Sequence, residues 1–145
     1  MIFKAKLLSE DDIGRTLVRM AHQIIEKNHG TDGICLVDLS TVAPDPVVST
    51  TEVDFSLIGK TVILVDDVIY TCRTARAALD AVMALGRPAR VQLAVLIDRG
   101  HSELPIRPNF VGKNIPTAKN EIISVRLEEI DGENCVELYT AGGEQ

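Results

Sequence analysis

The feature that most constrains the fold is a strand, a polar loop and a helix that follow one another directly between residues 61 and 86. The apolar run Thr61–Asp66 predicts a buried strand, and TARAALDAVMALG predicts a helix that Gly86 terminates. A further apolar run, Val91–Asp98, predicts a second strand. This order is typical of a βαβ unit, in which a right-handed crossover joins two parallel strands.

A helix and a strand are predicted before this unit. The helix begins after an N-cap at Ser9, runs to about Asn28 and ends at Gly30. Its apolar residues recur at spacings of three and four, which predicts one buried face opposite a polar stripe. The buried face comprises Ile13, Leu17, Met20 and Ile24, and the stripe comprises Arg15, Arg19, His22 and Glu26. The run Ile34–Leu39 predicts a strand buried on both faces.

Three segments remain. Residues Ser40–Gly59 are rich in Pro, Ser and Thr and predict a long connection with an edge strand in its middle. Residues Arg99–Asn120 predict an irregular segment near the carboxyl ends of the strands. The alternating run Ile122–Ile130 and the run Cys135–Thr140 flank the turn DGEN and predict a hairpin. The sequence therefore predicts an α/β fold, a Rossmann-like parallel sheet with a C-terminal β-hairpin, in a single domain over residues 1–145.

Composition excludes several classes of protein. A chain of 145 residues with 46% hydrophobic residues can fill a core without disulfides, and three widely spaced cysteines indicate neither a disulfide framework nor a zinc site. The sequence has no apolar stretch long enough to cross a bilayer and no signal-peptide pattern, so we expect a cytoplasmic protein without a membrane partner. A net charge of −6 argues against indiscriminate coating of nucleic acid.

The loop after the first strand of the βαβ unit combines two kinds of chemistry. Asp66 and Asp67 follow a buried strand, where open α/β sheets bind their ligands. Thr71 and Thr74 bring hydroxyls and backbone N–H groups to a helix N-terminus, which favours a phosphate. A sugar phosphate needs both, because carboxylates accept hydrogen bonds from ribose hydroxyls. Two alternatives are that the carboxylates only cap the helix, or that they form the magnesium site of a phosphorelay receiver.

The run VILVDDVIYTCRTARAALDAV, together with the blocks Arg19–Asn28 and Val91–Glu121, resembles the PyrR family of pyrimidine-operon attenuation regulators. The resemblance implies a reduced sheet of the type I phosphoribosyltransferase kind. It also implies binding of uridine nucleotides and of a stem-loop in leader mRNA. Many members of that family form UMP from uracil and phosphoribosyl diphosphate (PRPP), so the resemblance further implies Mg²⁺ as a cofactor, with PRPP, if the chain is active.

The resemblance assigns roles at the loop. Asp66 and Asp67 would be catalytic, holding the ribose hydroxyls and the magnesium ion. The remaining phosphate-binding and nucleotide-binding positions would be Tyr70, Thr71, Cys72, Arg73, Thr74, Ile97, Asp98 and Arg99. The stretch Ile97–Arg99 would border the uracil, largely through backbone groups. An alternative is that Asp98 and Arg99 pair with each other or cap the strand end.

Three departures from the family pattern predict weak or lost transfer. Cys72 stands where the family has Gly, which lets the backbone approach a phosphate and adopt positive φ. Leu39, Ser40 and Thr41 replace a Lys-Thr-Arg turn that binds diphosphate, and no Lys or Arg occurs between Asn28 and Gly59. The connection from Thr41 to Gly59 is also too short for the additional strand and mobile catalytic loop of the family.

The same resemblance predicts an RNA-binding surface from basic residues on two segments, which could form one groove. These residues are Arg19, His22, Lys27, Arg107, Lys113 and Lys119. Cationic side chains are the expected contacts of an RNA stem-loop, although Val18 and Ser102 replace a hydroxyl and a basic residue of the family. The alternative is that Arg15, Arg19 and His22 form a solvated helix face.

Three hypotheses follow. The leading one is a PyrR-type regulator that senses a uridine nucleotide and binds leader mRNA in transcription attenuation, with weak or absent transferase activity. The second is an active uracil phosphoribosyltransferase. The third is an inactive paralogue that assembles with a complete family member. In each case we expect a homodimer or higher homo-oligomer.

Overall fold

The computed structural model describes residues 1–39 and 57–142, except for the side chains of residues 130 and 131. Within these residues the elements in chain order are β1 (Ile2–Leu8), α1 (Glu10–Lys27), β2 (Ile34–Asp38), β3 (Thr61–Ile69), α2 (Arg73–Leu85), β4 (Arg90–Asp98), β5 (Phe110–Asn114), β6 (Glu121–Arg126), α3 (Glu128–Asp131) and β7 (Cys135–Thr140). None of these helices is long and apolar enough to cross a membrane.

A four-stranded parallel sheet in the order β2-β3-β4-β5 forms the centre of the fold. The register pairs Ile34 with Thr61 in the next strand, and Leu64 with Leu93 in the strand after it. The predicted βαβ unit is confirmed, because α2 joins the adjacent parallel strands β3 and β4. The α/β fold class predicted from the sequence is therefore also found in the structure.

Helices α1 and α2 pack on opposite faces of this sheet, because side chains alternate along its strands. Val62 and Leu64 of β3 pack with Ala78 of α2 in one buried cluster. Ile63, between them, packs with Met20 of α1 in another. The sheet is therefore the middle layer of three.

Helix α1 begins as predicted, at a capping box. The Ser9 hydroxyl accepts a hydrogen bond from the Asp12 backbone N–H at 3.3 Å, and the Asp12 carboxylate accepts one from the Ser9 backbone N–H at 3.0 Å. The hydrogen bonds from Ser9 lower the pKa of Asp12 to about 2. The predicted buried face is wrong at one position, because Leu17 is 52% exposed.

The predicted C-terminal hairpin is part of a three-stranded antiparallel sheet in the order β1-β7-β6. Sequence reasoning missed β1, whose short run IFKAKLL pairs with β7. The first hairpin strand also ends earlier than predicted, at Arg126, because a short helix with a left-handed Gly132 cap makes the turn. Leu8, Ile97 and Val136 lie in a buried cluster that joins the two sheets.

Two further expectations need correction. Residues Arg99–Asn120 are not irregular throughout, because β5 adds a parallel edge strand beside β4. Its sequence FVGKN is short and mixed in polarity, so it carries no periodic signal. The strand β2 is also not buried on both faces, since Leu36 is 64% exposed. The expected edge strand within residues 40–56 lies outside the described residues.

Close packing of α1 on β5 requires a glycine. A Cβ built at Gly112 would overlap the Leu96 carbonyl oxygen of the neighbouring strand and lie 2.8 Å from Thr16 Cγ2 of α1. We expect Gly112→Ala to lower the free energy of unfolding by about 1–3 kcal/mol, because overpacking forces the backbone or the helix to move. Urea denaturation measures this change.

Gly14 provides the matched control, because a Cβ there would have no atom within 4 Å. Gly14→Ala should raise the free energy of unfolding by up to about 1 kcal/mol through helix propensity. Equal effects of the two substitutions would contradict the packing argument.

Candidate functional site

The candidate site lies where β3 leads into α2, at the carboxyl end of the parallel sheet. Asp66 and Asp67 occupy successive positions of β3, and their burial differs accordingly: Asp66 is half-buried and Asp67 is exposed. The Asp67 backbone N–H donates to Asp66 Oδ1 at 2.8 Å, and the Val68 N–H donates to Asp67 Oδ1 at 2.7 Å. The backbone of the loop thus holds both carboxylates.

The pKa of Asp66 is raised to about 7, first by burial and then by the side-chain hydrogen bond with Asp67 and the charges of the Asp67 and Asp38 carboxylates. A raised pKa means that the site favours positive charge, since a cation would relieve the repulsion between the carboxylates. Strongly shifted acids in a cleft are candidates for function, although structural groups also show such shifts.

A cavity of about 210 Å³ opens between Asp66 and the N-terminus of α2, and Thr71, Cys72 and Thr74 also line it. The Thr71 hydroxyl accepts a hydrogen bond from the Arg73 backbone N–H at 3.4 Å. The Arg73 side chain points elsewhere: its Nε donates to Glu103 Oε2 at 2.9 Å in an exposed ion pair. Backbone N–H groups and hydroxyls, rather than the guanidinium, therefore face the cavity in this state.

Cys72 adopts the left-handed conformation that glycine accommodates best, with φ of +70°. A Cβ in this region costs about 1–2 kcal/mol. Its side chain is only 4% exposed, and its Sγ lies 3.4 Å from the Ile106 carbonyl oxygen. The cysteine therefore holds the loop in a conformation that favours glycine, and its side chain occupies space beside the cavity.

Arg99 and Tyr70 stack at the rim of the site. The Arg99 guanidinium lies 4.0 Å from the centre of the Tyr70 ring, and its Nε donates to Thr117 Oγ1 at 2.9 Å. Its Nη2 also donates to the backbone carbonyl of Glu121 in β6. His101 packs edge-on against Tyr70 with ring centres 4.9 Å apart. Arg99 thus links the end of the parallel sheet to the small sheet.

Sequence reasoning missed His101 and Thr117, although both lie in the block Val91–Glu121 that carried the resemblance. His101 Nε2 forms a hydrogen bond with the Thr117 backbone carbonyl oxygen. No local pattern indicates such a contact, because it joins two loops.

The remaining predicted nucleotide-binding positions differ in access. Ile97 has no exposed surface and is paired on both sides within the sheet. Asp98 Oδ1 accepts a hydrogen bond from the Gly100 N–H at 2.8 Å, which agrees with the alternative that it caps the strand end. Asp98 and Arg99 do not pair with each other, because the Arg99 side chain is engaged with Thr117 and Glu121.

The donor set at β3 fits a magnesium ion. Magnesium prefers carboxylate oxygens, keeps several waters and is completed by phosphate oxygens of a substrate. Asp66 and Asp67 supply adjacent carboxylates beside the cavity, and neither forms an ion pair with a Lys or Arg among the residues that the structure describes.

The basic residues lie on both sides of the edge strand β5. A groove of about 710 Å³ between α1 and β5 is lined by Arg19 and Lys27, together with Phe110. Arg19 is anchored there, because its guanidinium donates to the Val111 carbonyl at 3.3 Å and to that of Gly112. The predicted single groove is therefore found only in part, because Arg107 lines a separate pocket on the α2 side. His22, Lys113 and Lys119 are exposed.

Comparison with known proteins identifies the family. Residues 18–130 match the phosphoribosyl transferase domain. A protein of Pelotomaculum thermopropionicum named Bifunctional protein PyrR is 51% identical over 92% of this chain and 94% of its own length. A protein of Thermus aquaticus with the same name is 44% identical over 99% of each chain. This chain belongs to the PyrR family. The predicted family is confirmed, and the shared name agrees with the predicted PyrR-type function.

Solved structures confirm the phosphoribosyltransferase fold of this PyrR family member. The hypoxanthine phosphoribosyltransferase of Trypanosoma cruzi superposes with a TM-score of 0.72 at 16% identity, covering 95% of this chain and 97% of the other. A hypoxanthine-guanine phosphoribosyltransferase of Bacillus anthracis gives 0.70 at 18% identity, covering 94% and 98%. These likenesses concern the fold alone.

The PyrR family comparison also reveals an internal shortening. The alignment with the Thermus aquaticus protein spans 180 positions, whereas this chain has 145 residues, so at least 35 positions have no counterpart here. This agrees with the prediction that segments of the family are missing, which placed them between Thr41 and Gly59.

The raised pKa of Asp66 predicts a pH-dependent stability. Because the folded-state pKa of about 7 exceeds the ordinary 3.8, the stability that this group contributes is fully present below about pH 4 and is lost as the pH rises through 7. At pH 8 the free energy of unfolding of Asp66→Asn should therefore exceed that of the parent by about 1–2 kcal/mol, after allowance for solvent screening. This difference in free energy should shrink as the pH falls towards 4.

Denaturant titrations at several pH values measure this difference in the free energy of unfolding. Asp80→Asn, which changes an exposed carboxylate on α2, serves as the control and should show no such trend. A constant difference between Asp66→Asn and the parent across the pH range would contradict the assignment.

Cys72 predicts a separable effect on phosphate binding. Cys72→Gly should tighten binding of UMP several-fold, because it removes both the left-handed strain and the side chain beside the cavity. Cys72→Ala retains Cβ and its strain but removes Sγ. If the alanine variant binds as tightly as the glycine variant, crowding by sulfur is the cause; if neither binds more tightly, Cys72 does not limit the site. Isothermal calorimetry distinguishes these results.

Proposed function

We propose that this chain is a PyrR-type regulator that binds a uridine nucleotide at the β3–α2 loop and leader mRNA at a basic surface, with weak or lost uracil phosphoribosyltransferase activity. The observation that carries the proposal is the cavity between Asp66 and the N-terminus of α2 in a chain of this family. The cavity combines carboxylates that accept hydrogen bonds from ribose hydroxyls with hydroxyl and N–H groups that donate to a phosphate. A nucleotide requires both kinds of contact.

In this proposal the two ends of the nucleotide are held by different groups. Asp66 and Asp67 accept hydrogen bonds from the ribose hydroxyls, while Thr71, Thr74 and the backbone N–H groups of the loop hold the 5′-phosphate. Arg73 joins the phosphate when it leaves Glu103, an exchange that an exposed ion pair opposes only weakly.

The uracil would lie beyond the ribose, towards the rim formed by Tyr70 and Arg99. Tyr70 is half-buried there, and Arg99 keeps its orientation through its contact with the ring. Backbone groups after β4 complete the hydrogen bonds to the planar base.

Asp66 and Asp67 would hold the magnesium ion, together with phosphate oxygens of PRPP. When bound, that ion supplies positive charge that neutralises the diphosphate. Asp66 has to release its proton before it can bind the ion, so its raised pKa makes this binding stronger above pH 7.

Two properties of the chain argue for weak transfer. No Lys or Arg occurs between Asn28 and Gly59, so that region supplies no cation for a departing diphosphate. At least 35 family positions are missing, which removes the length needed for a mobile loop that would exclude water. Retention of both Asp66 and Asp67 nevertheless favours a second candidate, an active uracil phosphoribosyltransferase.

The groove between α1 and β5 would contribute to an RNA contact. Arg19 and Lys27 line it, and Arg19 is held in place by backbone carbonyls of β5. A fixed guanidinium loses less conformational freedom on binding a phosphate than a mobile one does. Glu26 lines the same groove, and its carboxylate would repel phosphate. RNA would therefore approach along the side of the groove that Arg19 and Lys27 form.

Calorimetric titration with UMP, and separately with PRPP plus Mg²⁺, tests the proposal. We expect binding of both ligands and at least a tenfold loss of affinity in Asp67→Asn, because the exposed carboxylate contacts the ligand and does not support the core. Asp80→Asn is the matched control and should bind like the parent.

Titration of the UMP-loaded protein with a leader stem-loop tests the RNA contact. Absence of heat with both UMP and PRPP, from folded protein, would overturn nucleotide sensing and favour the inactive paralogue. Steady-state UMP formation that depends on Asp66 and Asp67 would instead support the active enzyme.

A further inference from the structure

An exposed cation at the start of β4 lies outside both the nucleotide cavity and the set of residues predicted to bind RNA. Arg90 is exposed and forms no ion pair with any acidic residue that the structure describes. Its backbone is held in place, because it pairs with Thr61 of β3 and its N–H donates to the Lys60 carbonyl at 3.5 Å. An unpaired guanidinium on a fixed strand is available to an anionic partner.

The alternation of side chains along β4 shows which side of the sheet Arg90 faces. The Gln92 side chain points towards α1, because Asn28 Nδ2 donates to Gln92 Oε1 at 2.9 Å. Ala94 also packs on that side, in a buried cluster with Met20 of α1. Side chains two positions apart on a strand point to the same face, so Arg90 points to the α1 side as well. It lies about 7 Å beyond Gln92 along the strand, past the end of α1.

The groove between α1 and β5 leads to the same place. Arg19, Lys27 and His29 line the groove from the middle of α1 to its end. Arg19 and Lys27 are about 12 Å apart along the helix axis. His29 follows Asn28, whose side chain contacts β4 next to Arg90. The residues Arg19, Lys27, His29 and Arg90, here named the basic track, therefore extend over a distance on the order of 20 Å.

The end of α1 is capped in a way that reduces its repulsion of an anion. The last carbonyls of a helix carry a partial negative charge and ordinarily disfavour phosphate. Here the Asn28 N–H donates to the Ile24 carbonyl at 3.1 Å, and the Gly30 N–H donates to the Ile25 carbonyl at 2.9 Å. These carbonyls already have donors, and Lys27 adds a full positive charge in the last turn. The basic track is therefore not interrupted at the helix end.

The acidic surroundings of the basic track restrict the partner that it suits. Glu26 lines the groove and Asp32 is exposed in the turn before β2. The whole chain has a net charge of −6, so most of its surface repels a polyanion. A narrow line of positive charge on an acidic body fits a linear anion that lies along it, such as one strand of a nucleic acid.

We propose that the basic track holds the phosphate backbone of one strand of an RNA stem, and that Arg90 forms its outermost contact. This proposal rests on the proposed function, which places leader mRNA at the groove between α1 and β5. A guanidinium donates two parallel hydrogen bonds to a phosphate. Contacts of this kind position the RNA and raise affinity, but they do not read its sequence. Arg90 therefore contributes affinity without base specificity.

The salt dependence of RNA binding tests the proposal. Fluorescence anisotropy of a labelled pyrimidine-leader RNA hairpin measures the affinity of the UMP-loaded protein at several concentrations of KCl. Arg90→Gln should weaken binding several-fold at low salt and should reduce the slope of log K against log salt by about 0.7–1, because one phosphate contact is lost. Arg90→Lys keeps the charge and should keep the slope.

Two controls separate a direct contact from a change in overall charge or in loop recognition. Arg76→Gln removes the same charge from an exposed position of α2, on the other side of the sheet, and should leave the slope unchanged. A second hairpin with the same stem and a scrambled loop should lose the same factor in affinity with Arg90→Gln. Both arginines are exposed, so urea midpoints equal to that of the parent should verify that each variant is folded.

Several outcomes would overturn the proposal. Equal effects of Arg90→Gln and Arg76→Gln on the slope would end the RNA contact at the groove and leave the proposed function intact. A loss of affinity confined to the hairpin with the native loop would mean that Arg90 contacts a base. A parent protein that binds UMP but neither hairpin would overturn the basic track together with the RNA part of the proposed function, while the nucleotide site would remain.

Discussion

Parallel pairing of β3 with β4 is the constraint on which the site depends. Because both strands end at the same edge of the sheet, residues 66–72 and residues 98–101 meet there although about 30 positions separate them. The crossover helix α2 starts at this edge, so its N-terminus borders the same cavity as Asp66. Acceptors and donors for one ligand therefore come from a single topological unit.

Arg99 extends that arrangement to the small antiparallel sheet. Its guanidinium contacts Tyr70 of the loop, Thr117 and the carbonyl of Glu121, so one side chain joins three segments. The cluster containing Ile97 and Val136 provides apolar contact between the same parts. Movement of the small sheet would therefore be transmitted to the rim of the cavity through Arg99, which ties the position of Tyr70 to that of β6.

Sequence reasoning predicted those parts of the molecule that local signals determine. The capping box at Ser9, the βαβ unit and the termination of α2 at Gly86 are all encoded within a few residues. The strand β5 was missed because its five mixed residues become a strand only beside β4. The carboxylates of the site were found by their position after an apolar strand, whereas His101 and Thr117 come together only through the fold. Exposure of Leu36 depends on which segments lie beside β2 in the fold, and no pattern within β2 records that.

The internal shortening bears on catalysis through charge and chain length. At least 35 positions of the alignment with the Thermus aquaticus protein have no counterpart in this chain, and the sequence has no Lys or Arg between Asn28 and Gly59. A region without cations cannot offset the charge of a departing diphosphate, and a shorter chain has less length for a loop that excludes water. Asp66 and the N-terminus of α2 border one cavity and lie outside this region. In the proposed function, nucleotide binding and transfer therefore depend on different parts of the chain, so the first can persist where the second is weak.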